Sequence, residues 1–140
     1  MDRVSYERCC CGLAIPLMYD YLHTESKKKG EEDSPLHEKL KMPLSQLLEL
    51  LEKSPEDGTI NKRIDELNKV ISGAGLKKED KVCGRVIDLF ASLYGAETGN
   101  LALKILPYGG IYLLSTITIV LKDYILKEKT FLVSTYLLNL

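Results

Sequence analysis

The stretch YGAETGNLALKILPYGGIYLLSTITIV, Tyr94 to Val120, decides the fold expected of this chain. It completes a long apolar stripe that begins near Glu79. Val82, Val86, Leu89, Phe90, Leu93, Leu101 and Ile105 recur at the spacing of one helix face, which predicts a helix to about Leu106. Ala91, Gly95 and Gly99 fall four residues apart, on one line of that helix. Each interior glycine costs about 1 kcal/mol relative to alanine, so the line predicts close approach of a backbone or a ligand. Pro107, Tyr108, Gly109 and Gly110 supply the stop and the turn. Ile111 to Ile119 is rich in β-branched and aromatic residues and predicts a buried strand, able to fold back on the helix. One strand makes no stable sheet. The expected fold class is therefore α/β, mostly helical, with the strand's partners missing from this sequence.

The rest of the chain reads as helices and turns. Ser5 is the expected N-cap of a first short helix, with Glu7 in its first turn. Gly12 breaks it, and Ile15, Met18, Tyr19 and Leu22 predict a second helix over Leu13 to His23, with Pro16 in its first turn. Residues 24–43 combine a lysine run, Gly30, an acidic run and Pro35, and are expected to form an exposed insertion or loop. Helices are predicted over Leu44 to Lys53, after Pro43, and over Asn61 to Ile71, with a turn at Ser54 to Gly58 between them. The segment ISGAGL, Ile71 to Leu76, reads as a helix-ending turn. Leu121 to Glu128 looks helical, and Phe131 to Leu140 is apolar without a decisive period.

Composition bounds the function. The chain has 140 residues, one domain's worth, with 45% apolar and 28% charged residues and a formal net charge of −1. Neither a nucleic acid nor an anionic membrane is an electrostatically favoured partner. Cys9, Cys10 and Cys11 are consecutive and Cys83 is remote. That spacing suits neither a secreted disulfide framework nor a zinc site, so no metal site is expected and the cytoplasm is the expected location. The longest apolar run, Ile111 to Leu121, is too short to span a bilayer.

Two motifs carry a family resemblance. Tyr94 to Leu114, YGAETGNLALKILPYGGIYLL, resembles the bacterial-type glucokinase family, in which a long helix bearing G-A-x-x-G-N-L-A-L precedes a Gly-Gly turn and a strand. Val4 to Leu22, VSYERCCCGLAIPLMYDYL, resembles the V-S-x-E-R-x-x-S-G-x-G-L segment of the same family, and DKVCGRVIDLFASLYG resembles the helix that leads into G-N-L-A-L. The motifs stand in the family's order and span about half of the chain.

The resemblance implies the large lobe of a ribonuclease H-like, actin-like sugar kinase, with residues 1–140 forming part of the C-terminal lobe. It implies ATP-dependent phosphorylation of glucose to glucose 6-phosphate, the first step of glycolysis, with Mg·ATP as cofactor and glucose and ATP as partners. A homo-oligomer is compatible with it. The sugar-binding residue carried over is Glu7, whose ionised carboxylate would accept from sugar hydroxyls. The nucleotide positions carried over are Gly12, Ser115 and Thr116. The sequence departs from the family there. Cys11 stands for the serine, Ala14 for the second glycine, and Ser115 and Thr116 for a Gly-Gly pair. Side chains then occupy space the family leaves open, which weighs against nucleotide binding.

The D-x-G-G-T phosphate segment, the N-D segment with the catalytic base and the E-x-x-H sugar motif do not occur in the 140 residues; neither His23 nor His37 has a glutamate three residues before it. No catalytic residue is therefore expected in this chain, which reads as a truncated glucokinase. The alternative is a non-catalytic relative that serves as a binding or assembly module.

Overall fold

The computed structural model describes residues 7–31, 33–53 and 58–137, with side chains from 9 to 135 within those spans. The described residues form helices and no strand: α1 (Glu7–Cys10), α2 (Ala14–Lys28), α3 (His37–Lys53), α4 (Thr59–Leu76), α5 (Lys81–Ile105), α6 (Thr116–Val120), α7 (Lys122–Lys127) and α8 (Thr130–Leu137). They divide into two compact units, Cys11–Ile87 and Met1–Cys10 with Asp88–Leu140. Ser5, and residues 54–57 of the expected turn, lie outside the described residues.

In the Cys11–Ile87 unit, helical period places the core. Leu40, Leu44 and Leu47 bury one stripe of α3, and Ile60, Ile64, Leu67, Ile71 and Ala74 bury one stripe of α4. Ile15, Met18, Tyr19 and Leu22 complete the layer from α2, and Val82, Cys83, Val86 and Ile87 from the start of α5. Gly75 lets two elements meet: a Cβ there would lie 2.6 Å from the carbonyl oxygen of Cys83. Ile71–Leu76, expected to be a helix-ending turn, is the last part of α4, and its Gly75 meets a backbone.

α2 runs to Lys28, five residues past its expected end, and α3 starts at His37 instead of Leu44. Residues 24–28 and 37–43, expected to be loop, are thus helical. Two local effects extend α2. Lys27 and Lys28 complement the negative end of the helix dipole. Gly30 takes φ +70°, and the amides of Gly30 and Glu31 bond back to the carbonyls of Lys27 and Ser26, a Schellman ending. In α3, burial of Leu40, Leu44 and Leu47 outweighs the one hydrogen bond that Pro43 forfeits inside the helix. α4 ends with the same Schellman pattern, the amides of Lys78 and Glu79 bonding to Gly75 and Ala74, with Lys78 at φ +59°.

In the other unit, Phe90 and Ala91 of α5 are buried, as are Leu121, Ile125 and Phe131. Tyr94 meets the Phe131 ring edge-on at 5.7 Å, and its hydroxyl lies 3.2 Å from Thr118 Oγ1. The buried strand expected at Ile111–Ile119 is not there. Residues 111–114 are neither helix nor strand, and Thr116–Val120 form α6 behind the N-cap Ser115, whose Oγ accepts from the Thr118 amide at 3.3 Å. The segment is exposed: Tyr112 is 81%, Leu114 91% and Ile119 76% accessible. β-branched residues satisfy a strand only where neighbouring strands accept their backbone groups. Without such neighbours, a serine cap and one short helix satisfy the local amides instead.

Candidate functional site

The sequence-derived positions fall in different places. Glu7 opens α1, and its side chain lies outside the described residues. Gly12 sits in the turn before α2, where a Cβ would come 3.2 Å from Asn68 Nδ2 and 3.5 Å from Ile64 Cγ2. Its lack of a side chain admits α4. Ser115 and Thr116 lie at the start of α6, both exposed. Glu7, Ser115 and Thr116 thus belong to one unit and Gly12 to the other.

The richest polar arrangement has no counterpart among the sequence motifs. Around α2, residues 33–37 and the start of α5, Tyr19 Oη lies 2.8 Å from Ser34 Oγ, and Ser34 Oγ donates to Asp80 Oδ2 at 2.5 Å. Asp80 Oδ1 accepts from the Cys83 amide at 2.9 Å, which makes Asp80 the N-cap of α5. Burial alone would raise the Asp80 carboxyl, but the bonds from Ser34 and Cys83 win and hold it below its ordinary range. An ionised Asp80 only accepts, so the Ser34 hydroxyl donates to it and accepts from Tyr19. Burial pushes the Tyr19 phenol and the Cys83 thiol well above their usual ranges, so both stay neutral. On the same helix, His23 Nε2 lies 2.6 Å from Asp33 Oδ1, and Lys27 Nζ lies 3.4 Å from Asp33 Oδ2. Arg85 donates to Ser26 Oγ at 2.9 Å and pairs with Glu31 at 3.1 Å. A recess of about 240 Å³ opens beside Asp33, Ser34 and Asp80.

These groups are engaged with one another. Asp33 and Asp80 already satisfy His23, Lys27, Ser34 and the Cys83 amide. Among the described residues no group of three or more His, Cys, Asp or Glu side chains could hold a metal ion, and no helix is long and apolar enough to cross a membrane. Ser115 Oγ accepts from the Thr118 amide, and Thr116 stands on an exposed surface.

Comparison with known proteins points one way. The family model Glucokinase matches residues 1–134. The glucokinase of Nostoc punctiforme is 35% identical over 113 residues, which cover 81% of this chain and 29% of that protein. The glucokinase of Synechocystis sp. is 33% identical over 113 residues, covering 80% of this chain and 28% of its own length. A third, from a Nostoc species, is 34% identical over the same length. The chain therefore spans less than a third of the curated relatives it matches. No solved structure matches it. With the family model spanning both the V-S-x-E-R-like and the G-N-L-A-L segments, the chain belongs to the glucokinase family.

Proposed function

We propose that this chain supplies the sugar-facing part of a glucokinase-type hexose kinase and does not itself complete the reaction. The observation that carries this reading is the surface of the Asp88–Leu140 unit. From Ile105 to Leu121 there is no charged residue, yet Ile105, Leu106, Tyr108, Tyr112, Leu114 and Ile119 are all exposed. An uncharged apolar surface of that extent is the mark of a face that meets other protein. The family fold, more than three times as long as the matched segment, is the proposed cover. The family reaction transfers a phosphoryl group from Mg·ATP to a glucose hydroxyl. It depends on positioning, metal neutralisation of the phosphates and a base at the hydroxyl. Of these, the present residues contribute positioning: Glu7 accepts from a glucose hydroxyl.

The second reading is a non-catalytic binding module, favoured by Ser115, whose hydroxyl caps α6 where a nucleotide would otherwise approach. Glucose titration by calorimetry and a coupled phosphorylation assay separate the readings. Saturable glucose binding that weakens at least tenfold in Glu7→Gln, without turnover, supports the first. Absent glucose binding by a folded chain supports the second. Turnover above background by the chain alone, lost in Glu7→Gln, overturns both.

A further inference from the structure

The two histidines of the chain, fourteen positions apart in sequence, are face to face. The His23 and His37 rings lie 10° from parallel with centroids 3.7 Å apart. Tyr19, one helical turn before His23, is also parallel to the His23 ring at 5.9 Å. This stack joins α2 to the first residue of α3 across the 29–36 connection. Asp33 closes it from the connection, taking His23 Nε2 at 2.6 Å and Lys27 Nζ at 3.4 Å. Next to Asp33, Ser34 is buried between Tyr19 and Asp80, and its carbonyl accepts from the His37 amide at 3.0 Å.

Hydrogen positions follow from charge. The His23 bond and Lys27 hold the Asp33 carboxyl below its ordinary range, so it accepts and His23 Nε2 carries the hydrogen. His37 has no comparable acceptor: its Nδ1 is shielded from solvent and without a hydrogen-bond partner. A proton added to His37 would place a cation in van der Waals contact with the His23 ring. The groups that face it are His23 and Lys27 from α2, Asp33 from the connection and Glu38 from α3; Asp80 and Cys83, from the start of α5, act on Tyr19. Burial, then His23 and Lys27, oppose the charge, and Asp33 and Glu38 do not make up the difference. Parallel rings also cannot turn their nitrogens onto one ion without leaving the stack, so the pair is no metal site.

We infer that the His23–His37 stack is an acid-released latch: a proton on His37 expels that ring from the stack and frees residues 33–37 from α2. The sign follows from linkage. His37 holds a proton less tightly in the latched state than its ordinary value of 6.5, so the latch is fully closed above that pH. It weakens as the pH falls through 6.5 toward the latched value. The outcome is a local opening of the 33–37 turn and the first turn of α3, not global unfolding.

Proton NMR decides it, because only two imidazoles contribute. Between pH 7.5 and 5, the His37 Cε1 proton should titrate with a midpoint below 6.5. In the same step, hydrogen-exchange protection of the His37 and Leu40 amides should fall severalfold after correction for intrinsic rates, while that of α4 amides is retained. In His37→Gln, which cannot take up the proton, the protection step should vanish. In His23→Gln, the His37 midpoint should rise toward 6.5. A His37 midpoint at or above 6.5, or protection of residues 37–40 that does not change across the titration, overturns the inference. Both deciding readouts come from the unmodified protein, so the test does not depend on either variant folding.

Discussion

The carbonyl of Phe131 occupies the place where a side chain at position 95 would begin. A Cβ built on Gly95 meets the Phe131 oxygen first, and lies 3.1 Å from the carbonyl carbon and 3.2 Å from Cα. Around this contact, Thr135 Oγ1 donates to the Gly95 carbonyl at 3.0 Å, and Ser92 and Ser134 hydroxyls lie 2.9 Å apart. Small residues on α5 thus let α8 approach backbone to backbone. The spacing of Ala91, Gly95 and Gly99 signals a close neighbour, and at Gly95 that neighbour is the backbone of α8, not a strand over Ile111–Ile119.

Gly95→Ala should therefore destabilise the protein by about 1–3 kcal/mol, because the obstructing atoms are backbone and cannot rotate away. Gly84→Ala is the control: nothing lies within 4 Å of a Cβ there, and the helix interior gains up to about 1 kcal/mol of propensity. Urea midpoints at unchanged m-value compare the two. A Gly95→Ala midpoint equal to or above the parent's would refute the backbone contact.

Ser34→Ala should cost about 1–3 kcal/mol, since it strands the Tyr19 hydroxyl and removes a donor from buried Asp80. Tyr19→Phe removes only the first donor of the chain and orphans neither Ser34 nor Asp80, so about 0.5–1.5 kcal/mol is expected. The order of the two effects is the test. Equal losses would mean that the Ser34–Asp80 bond contributes nothing of its own.

Much of this structure is legible in the residues, and the rest is tertiary. Ile64, Leu67 and Ile71 are periodic enough to announce α4, but the helix runs on through Ile71–Leu76, which reads as a turn; the α5 stripe announces its helix, although Leu101 and Ile105 on that stripe are exposed. Pro43 misleads about α3, because a proline's local cost is visible in sequence while the burial of Leu40 and Leu44 that offsets it is not. Ile111–Ile119 misleads in the opposite sense. Its composition reports a preference for a sheet, and the described residues offer no sheet to join. The family motifs could be read directly, and the family model spans both of them. The pairing of His23 with His37 has no short-range signal, since neither its spacing nor its flanking residues differ from those of solvated histidines.

The apolar surface of the second unit makes a separable prediction. Tyr112→Lys with Leu114→Asp should change the stability measured by urea unfolding by no more than about 0.5 kcal/mol, because both side chains are solvated. The same double variant should reduce self-association or precipitation, read by light scattering across a concentration series. A large loss of stability would show that these residues are buried within the folded chain, contrary to their exposure here.

Asp80 should shape the acid limb of stability. Its carboxylate caps α5 through the Cys83 amide and accepts from Ser34, and it is 3% exposed. The folded-state value lies below the ordinary 3.8, so between the two the unfolded chain binds the extra proton. The contribution is therefore fully present above pH 3.8 and is lost as the pH falls from there through the lower folded-state value. Asp80→Asn keeps a competent helix cap but cannot ionise. At pH 7 it should be less stable than the parent, and the gap should narrow as the pH falls from 5 to 2. The acid titration of Asp33 is common to both proteins and cancels in the difference. Urea midpoints of parent and variant at half-unit pH steps give that difference directly. A gap that stays constant over this range would mean that the charge of Asp80 adds nothing to what its shape and hydrogen bonds already supply.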